Sequence, residues 1–407
     1  MKYMNYIDLS YKPDKDDLIC DFFVEPLGMS IKESAGAIAS ESSTGTWTET
    51  FTTKSYVRKL AAKVFEIKGN NVKIAYPAGL FELGNMPNIL SSVAGNVFGL
   101  EDLKNLRLNN MLFPKKILRS FRGPKYGIDG IRKILKVKKR VLLGTIIKPK
   151  IGLRTEGHVK VAYDAWLGGC DIVKDDENLS SQSFNKFEKR IKKTLKARNK
   201  AEKITGEKKV YMANITAETN EMIKRAEFVK ECGGEYIMID IMTVGWSALQ
   251  TLRNQNFNLV IHGHRAGHAA LTKNPKHGIS MKVIAKIARI IGIDQLHVGT
   301  GVGKMFENKK EVLENLNAVK NKLDVIKPLM PVASGGLHPR LVPEVIKIFG
   351  NDLIIQAGGG IHGHPLGTMA GARAMRQAVE ATMKKINLKD YAKEHKELKL
   401  ALERWKK

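Results

Sequence analysis

Lys174, Asp175, Asp176 and Glu177 follow directly on a short apolar run, Cys170 to Val173. Residues two apart on an extended strand point the same way, so Lys174 and Asp176 share a side. Glu177 joins them where the backbone turns. Two carboxylates suit a hard, oxygen-seeking ion such as magnesium. A lysine cation beside that ion is repelled. A lysine that has lost its proton can instead react with carbon dioxide and become a carbamate, an anion with oxygen donors that completes a three-oxygen face. The competing reading is a solvated salt-bridge cluster.

Three other groups carry reactive residue types. Lys148 and Lys150 flank Pro149, and a lysine near a metal and a second cation can act as acid or base. His262, His264, Arg265 and His268 lie together. A His-x-His pair can hold a transition metal, but no third soft ligand accompanies it, and the planar fork of Arg265 suits phosphate. His262 and His268 read as structural. Ser334–Gly336 and Gly358–Gly360 are glycine turns that let backbone N–H groups approach a phosphate. Two such turns facing an Arg/His cluster suggest a substrate with a phosphate at each end.

Positioning these groups is the work of a repeating unit that begins near residue 140. Short apolar runs recur at 141–147, 170–173, 210–216, 236–241, 258–262, 295–298, 329–333 and 353–356, with amphipathic helical stretches such as 158–167 between them. Eight such strands alternating with helices predict an α/β fold, a parallel (β/α)8 TIM barrel, whose active face is the C-terminal end of the strands. Every cluster named above falls at such an end. Residues 1–125 lack the rhythm and mix strands (72–77) with helices (30–39), which predicts a separate N-terminal α+β domain. The barrel domain is expected over 126–407, with a charged helical tail after about residue 385.

The net charge of +27 raises nucleic-acid binding as a rival function. Residues 183–209 hold eleven Lys/Arg against three acids, yet Phe184, Phe187, Ile191 and Leu195 keep helical spacing, which places the lysines on a solvated outer face. No aromatic-rich nucleic-acid motif and no zinc-finger spacing is present, so specific nucleic-acid binding is not expected. No run of 18 apolar residues exists, so no membrane span is expected, and the N-terminus lacks a signal peptide's apolar core. Cys20, Cys170 and Cys232 are too scattered for a metal pattern and suggest a reduced, cytoplasmic protein.

The segments 168–178, 146–153, 261–269, 297–304 and 331–338, with 41–48 and 95–99 from the N-terminal domain, closely resemble the ribulose bisphosphate carboxylase/oxygenase (RuBisCO) large-subunit family, and the wording is most similar to its archaeal-type form III branch. The resemblance spans nearly the whole chain. It implies a magnesium-dependent enzyme that enolises ribulose bisphosphate, adds carbon dioxide and yields two 3-phosphoglycerates, with oxygen as a competing substrate. Lys174 is then the carbamylated lysine, activated by carbon dioxide, with Asp176 and Glu177 as the other magnesium ligands. Lys148 protonates the product carbanion, aided by Lys150, and Lys304 steadies the new carboxylate. Arg265 and His297 hold one phosphate. Gly335, Gly336, Gly358 and Gly359, with Thr46 and Trp47, hold the other. His264 and Ser334 contact the sugar, and Glu41 and Asn96 complete the site from a partner subunit, which implies at least a homodimer. No small subunit is expected. Nucleotide (AMP) ribose salvage is the implied setting. A RuBisCO-like protein that enolises without carboxylating is the alternative within the family.

Three departures from the family pattern stand near the loop of Lys304: Gly301 and Gly267 replace larger residues, and the stretch from Lys304 to Ser334 is short. A glycine at 301 is expected to loosen that loop.

Overall fold

The computed structural model describes residues 3–46, 48, 50–303 and 307–406. The chain divides into two compact units. One comprises residues up to Gly123 with Gly267–Ile291 and Leu323–Ile326; the other comprises Pro124–Ala266, Gly292–Lys322 and Lys327 onward.

The first unit is built on a five-stranded sheet. Its strands are β1 (Asp17–Pro26), β2 (Lys63–Lys68), β3 (Asn71–Pro77), β4 (Leu103–Leu112) and the short β10 (Gly278–Ile279), in the order β10-β4-β1-β3-β2. Alternation along β1 buries Leu18, Cys20, Phe22 and Val24 on one face, as a half-covered antiparallel sheet requires. The helix Ile31–Glu41 starts at a capping box, with Ser30 and Glu33 each bonding the other's backbone N–H.

The second unit is a closed parallel barrel. Its strands are β5 (Leu142–Ile146), β6 (Ile172–Lys174), β7 (Val210–Asn214), β8 (Tyr236–Asp240), β9 (Val260–His264), β11 (Gln295–His297), β12 (Met330–Ser334) and β13 (Ile354–Gln356), and β13 pairs with β5 to complete the ring. All eight expected strands are present. Each is buried on both faces, which explains why they read as continuous apolar runs. The helix Gly127–Leu135 packs Ile128, Ile131 and Leu135 against Leu142, Ile172, Val210, Tyr236, Val260 and Met330. Asp294 fixes the start of that helix by accepting the N–H groups of Tyr126 (2.6 Å) and Gly127 (3.1 Å). Each such apolar side chain contributes roughly 1.5–3 kcal/mol on burial. One mouth of the barrel is thereby closed, and the C-terminal ends of the strands remain for chemistry.

The lysine-rich segment forms the helix Phe187–Thr205, with Phe187, Ile191 and Leu195 buried and most lysines outward. The outer-face expectation fails at Lys209, which is fully buried beneath the barrel, donating to the Cys170 carbonyl (3.0 Å) and paired with Glu207. Arg190 and Arg198 of the same helix also point inward. Periodicity of apolar residues does not reveal cations that are buried against a carboxylate.

Candidate active site

Every barrel strand delivers a polar or reactive group at its C-terminal end. The principal cluster joins the ends of β5 and β6. Lys174 is the last residue of β6 and is 1% exposed. Its amine donates to the Asp175 carbonyl (2.8 Å) and approaches the Met238 sulfur at 3.0 Å, two neutral partners. Burial lowers its pKa to about 8, against the opposing pull of Asp176 and Glu177. A buried lysine of this kind offers a far larger neutral-amine fraction near physiological pH than an exposed lysine does, and the neutral amine is the form that adds carbon dioxide.

Strand alternation sends Asp175 the other way. Its carboxylate accepts from Tyr211 (2.6 Å) and the Asn214 N–H (3.0 Å) and faces His158 and Arg190 at 3.3 Å each. Although burial pushes its pKa up, Arg190 and His158 outweigh that and hold it at about 2. Asp175 is therefore a structural anion, which leaves Asp176 and Glu177 as the candidate site carboxylates of the run. Asn214 clamps the turn that carries them, donating to the carbonyls of Glu177 (2.9 Å) and Leu179 (3.0 Å).

Asp176 and Glu177 gather the cations of the neighbouring strand. Lys148 pairs with Asp176. Lys150 lies 2.6 Å from Glu177 and 3.7 Å from Asp176. The two carboxyls divide their protons unequally. Burial and the adjacent Glu177 raise the pKa of Asp176, whereas Glu177, though burial opposes it, is held low by Asp176 and Lys150. Among the described residues no three His, Cys, Asp or Glu side chains converge on one point. Two carboxylates already holding cations, one donor short of a three-oxygen face and beside a buried amine that a carbamate would convert into that donor, fit a magnesium ion by their chemistry.

Across the mouth, His264 ends β9. Its Nδ1 accepts the Ala266 N–H (3.2 Å), so the neutral ring carries its proton on Nε2, 3.9 Å from Glu177. Burial lowers its pKa despite Asp240, which lies 3.8 Å from Nδ1. His297, at the end of β11, is packed between the rings of His264 and His262 with centroids 4.8 and 4.9 Å apart. It donates from Nε2 to Gln356 (3.2 Å). His262 donates to Gln295 (3.1 Å) inside the barrel, as a structural histidine does. His268, in the first unit, is bonded to Thr272 (2.9 Å). The buried Arg265 guanidinium is 2.5 Å from Glu307.

The glycine turns meet the lysines. A β-carbon on Gly358 would lie 3.0 Å from Cε of Lys148, and one on Gly303 would lie 2.8 Å from the Gly335 carbonyl. Gly335 and Gly336 both have positive φ, +129° and +70°, which a residue with a side chain rarely adopts. The space around a β-carbon at Gly359 is open. Ser334 is the last residue of β12 and half-buried. Gly301 has φ +65° and a β-carbon there would meet Ile348 at 3.0 Å, so the position also suits glycine for its left-handed backbone. Gly267 likewise has φ +81°. Within the first unit, Asn96 donates to Glu41 (3.3 Å) and Thr46 is half-buried. Trp47 and Lys304 lie outside the described residues.

Sequence reading missed Glu307, Gln295, Gln356 and the structural role of Asp175. The two glutamines did leave a signal, since each is a polar residue at the end of a short barrel strand, Gln295 opening Gln295–His297 and Gln356 closing Ile354–Gln356. Glu307 left only the fact of being an acid in a basic stretch.

Comparison with known proteins agrees with this geometry. Residues 127–405 match the model of the ribulose bisphosphate carboxylase large chain, catalytic domain, and residues 5–117 match that of the N-terminal domain. A ribulose bisphosphate carboxylase of Methanocaldococcus jannaschii is 51% identical, with 99% of this chain and all of that protein covered. Among solved structures, the octameric ribulose-1,5-bisphosphate carboxylase/oxygenase of Pyrococcus horikoshii has a TM-score of 0.96 at 49% identity, covering 99% of this chain and 97% of that one. The dimeric archaeal Rubisco of Hyperthermus butylicus has a TM-score of 0.93 at 48% identity, covering 99% of each chain. The chain belongs to the ribulose bisphosphate carboxylase large-chain family, in its archaeal type, and is an enzyme of the carbon–carbon lyase class. No described helix is long and apolar enough to cross a membrane.

Proposed function

We propose that the chain is a form III ribulose-bisphosphate carboxylase that requires magnesium and activation by carbon dioxide. The observation that carries this reading is the fully buried Lys174 amine, held among neutral partners at the head of two carboxylates. Activation joins the Lys174 Nζ to the carbon of CO2 and releases a proton, leaving a carbamate. That group, Asp176 and Glu177 would hold the ion. When bound, magnesium supplies a Lewis acid that favours loss of the proton at C3 of the sugar.

The Lys174 carbamate accepts that C3 proton and the substrate becomes an enediol. His264 directs Nε2–H toward the sugar oxygens. Arg265 anchors one phosphate, with His297 joining it through Nδ1 once phosphate binding gives that nitrogen a proton; the turns Ser334–Gly336 and Gly358–Gly359, with Thr46 and Trp47, anchor the other. The enediol carbon C2 attacks CO2, water adds at C3, and the C2–C3 bond breaks. Lys148, beside Asp176, returns a proton to the departing carbanion, with Lys150 adding positive charge and Lys304 balancing the new carboxylate. One ribulose bisphosphate, one CO2 and one water thus give two 3-phosphoglycerates and two protons, which pass to solvent. Oxygen attacks the same enediol as a side reaction.

The octameric and dimeric relatives support a homo-oligomer in which Glu41, Thr46, Trp47 and Asn96 serve a partner's barrel, with no small subunit. A cytoplasmic enzyme of nucleotide ribose salvage is the setting that follows from the archaeal type, and the three free cysteines accord with a reducing compartment. The test is a carboxylase assay after preincubation with bicarbonate and magnesium. Labelled carbon in 3-phosphoglycerate, lost without magnesium, is expected. Solvent deuterium entering at C3 with no carbon label would replace the reading with an enolising RuBisCO-like activity.

A further inference from the structure

We propose that Glu307 is a built-in competitor for the substrate phosphate at Arg265, and so sets how tightly substrate and product are held. This rests on the reading that Arg265 is a phosphate anchor. The Arg265 and Glu307 side chains are 5% and 3% exposed and 2.5 Å apart through Nη2. A buried guanidinium is costly without an anion, and removing its partner leaves an uncompensated charge. Glu307 supplies the anion while the site is empty.

The pair leaves the guanidinium fork half used, because the buried Nη1 of Arg265 has no hydrogen-bond partner. Phosphate is best held by both arms of the fork. To take both, an incoming phosphate must displace the carboxylate from Nη2, since a carboxylate and a phosphate beside one cation in a water-poor site repel each other strongly. The helix that follows Glu307, Lys309–Lys320, is capped by its own Asn308–Glu311 box, so the helix terminus does not depend on Glu307. Gly299, with φ +98°, lies beside the pair: a β-carbon there would meet Val312 at 2.8 Å and make ordinary contact with Arg265 Nη2 (3.6 Å) and Glu307 Cδ (3.8 Å). Binding of substrate therefore costs the breaking of one buried ion pair, and loss of product is assisted by its re-forming.

The test compares Glu307→Gln with the unaltered, carbamate-activated enzyme. The expected result is a KM for ribulose bisphosphate about three- to tenfold lower, a matching fall in the inhibition constant of 3-phosphoglycerate, and a similar gain in calorimetric affinity for inorganic phosphate without turnover. In an Arg265→Ala background the same substitution should change nothing. An unchanged or weakened phosphate affinity in Glu307→Gln, with Arg265→Ala weakened as expected, overturns the competitor role and leaves Arg265 as the anchor. Phosphate affinity untouched by Arg265→Ala would overturn the anchor reading itself. Should Glu307→Gln fail to fold, Glu307→Asp withdraws the carboxylate by one methylene, and a smaller gain in the same direction is expected; no gain overturns the proposal.

Discussion

The Lys148 side chain runs past Gly358 so closely that a β-carbon there would stand 3.0 Å from its Cε. The glycine that opens the last turn of the barrel therefore also makes room for a lysine from the first. Gly358 has a negative φ of −88°, so no left-handed backbone bars alanine, and the close conflict of its β-carbon is with Lys148. Gly358→Ala should lower kcat about tenfold by displacing Nζ from Asp176, with a change in Tm of no more than about 2 °C. A variant with normal kcat would show that Lys148 has room to spare.

Carbon dioxide uptake by Lys174 should follow its lowered pKa. The reactive form is the neutral amine, whose fraction rises with pH through about 8 rather than near the ordinary 10.5. Trapping of the labelled carbamate in protein free of divalent ions should be half-maximal near pH 8. Lys174→Ala should trap no label and abolish turnover while remaining folded, because the strand's apolar residues are unchanged. Trapping that rose only above pH 10 would mean that the amine is solvated.

Asp175 and Asp176 are neighbours in sequence with opposite duties. Asp175→Asn leaves the buried Arg190 without its counter-charge and should destabilise the protein by about 3–5 kcal/mol, read by denaturant unfolding. Asp176→Asn removes a site carboxylate and should abolish activity with little effect on stability. Equal stability losses in both variants would contradict this division.

Stability should fall on mild acidification through His362. Its ring donates from Nε2 to the Ile146 carbonyl (3.0 Å) and accepts from Thr368 (3.0 Å), and burial lowers its pKa from 6.5 to about 4. The unfolded chain takes up a proton below pH 6.5, but the folded chain does so only near pH 4. Stability is thus full above pH 6.5 and declines as pH falls toward 4, by up to about 3 kcal/mol. His262 and His297, both held neutral by burial, act in the same direction. His362→Asn should flatten part of the decline in Tm between pH 7 and 5; an unchanged slope would assign the decline to other groups.

Residue order alone determined the barrel, because strands covered on both faces must be continuously apolar and the helices between them must be amphipathic. It also placed Lys148, Lys174, Asp176, His264 and the glycine turns at strand ends, where the C-terminal mouth of a parallel barrel gathers them. Tertiary structure decided what those residues meet. Only the fold shows that Lys174 is buried deeply enough to lower its pKa, that Asp175 turns away to Arg190, that Lys209 is buried, and that Gly301 serves a left-handed turn. Only the fold brings Glu307 to Arg265. These are contacts between residues far apart in the chain or separated by a turn, and their energies depend on burial and on the nearest charge, which one-dimensional spacing does not carry.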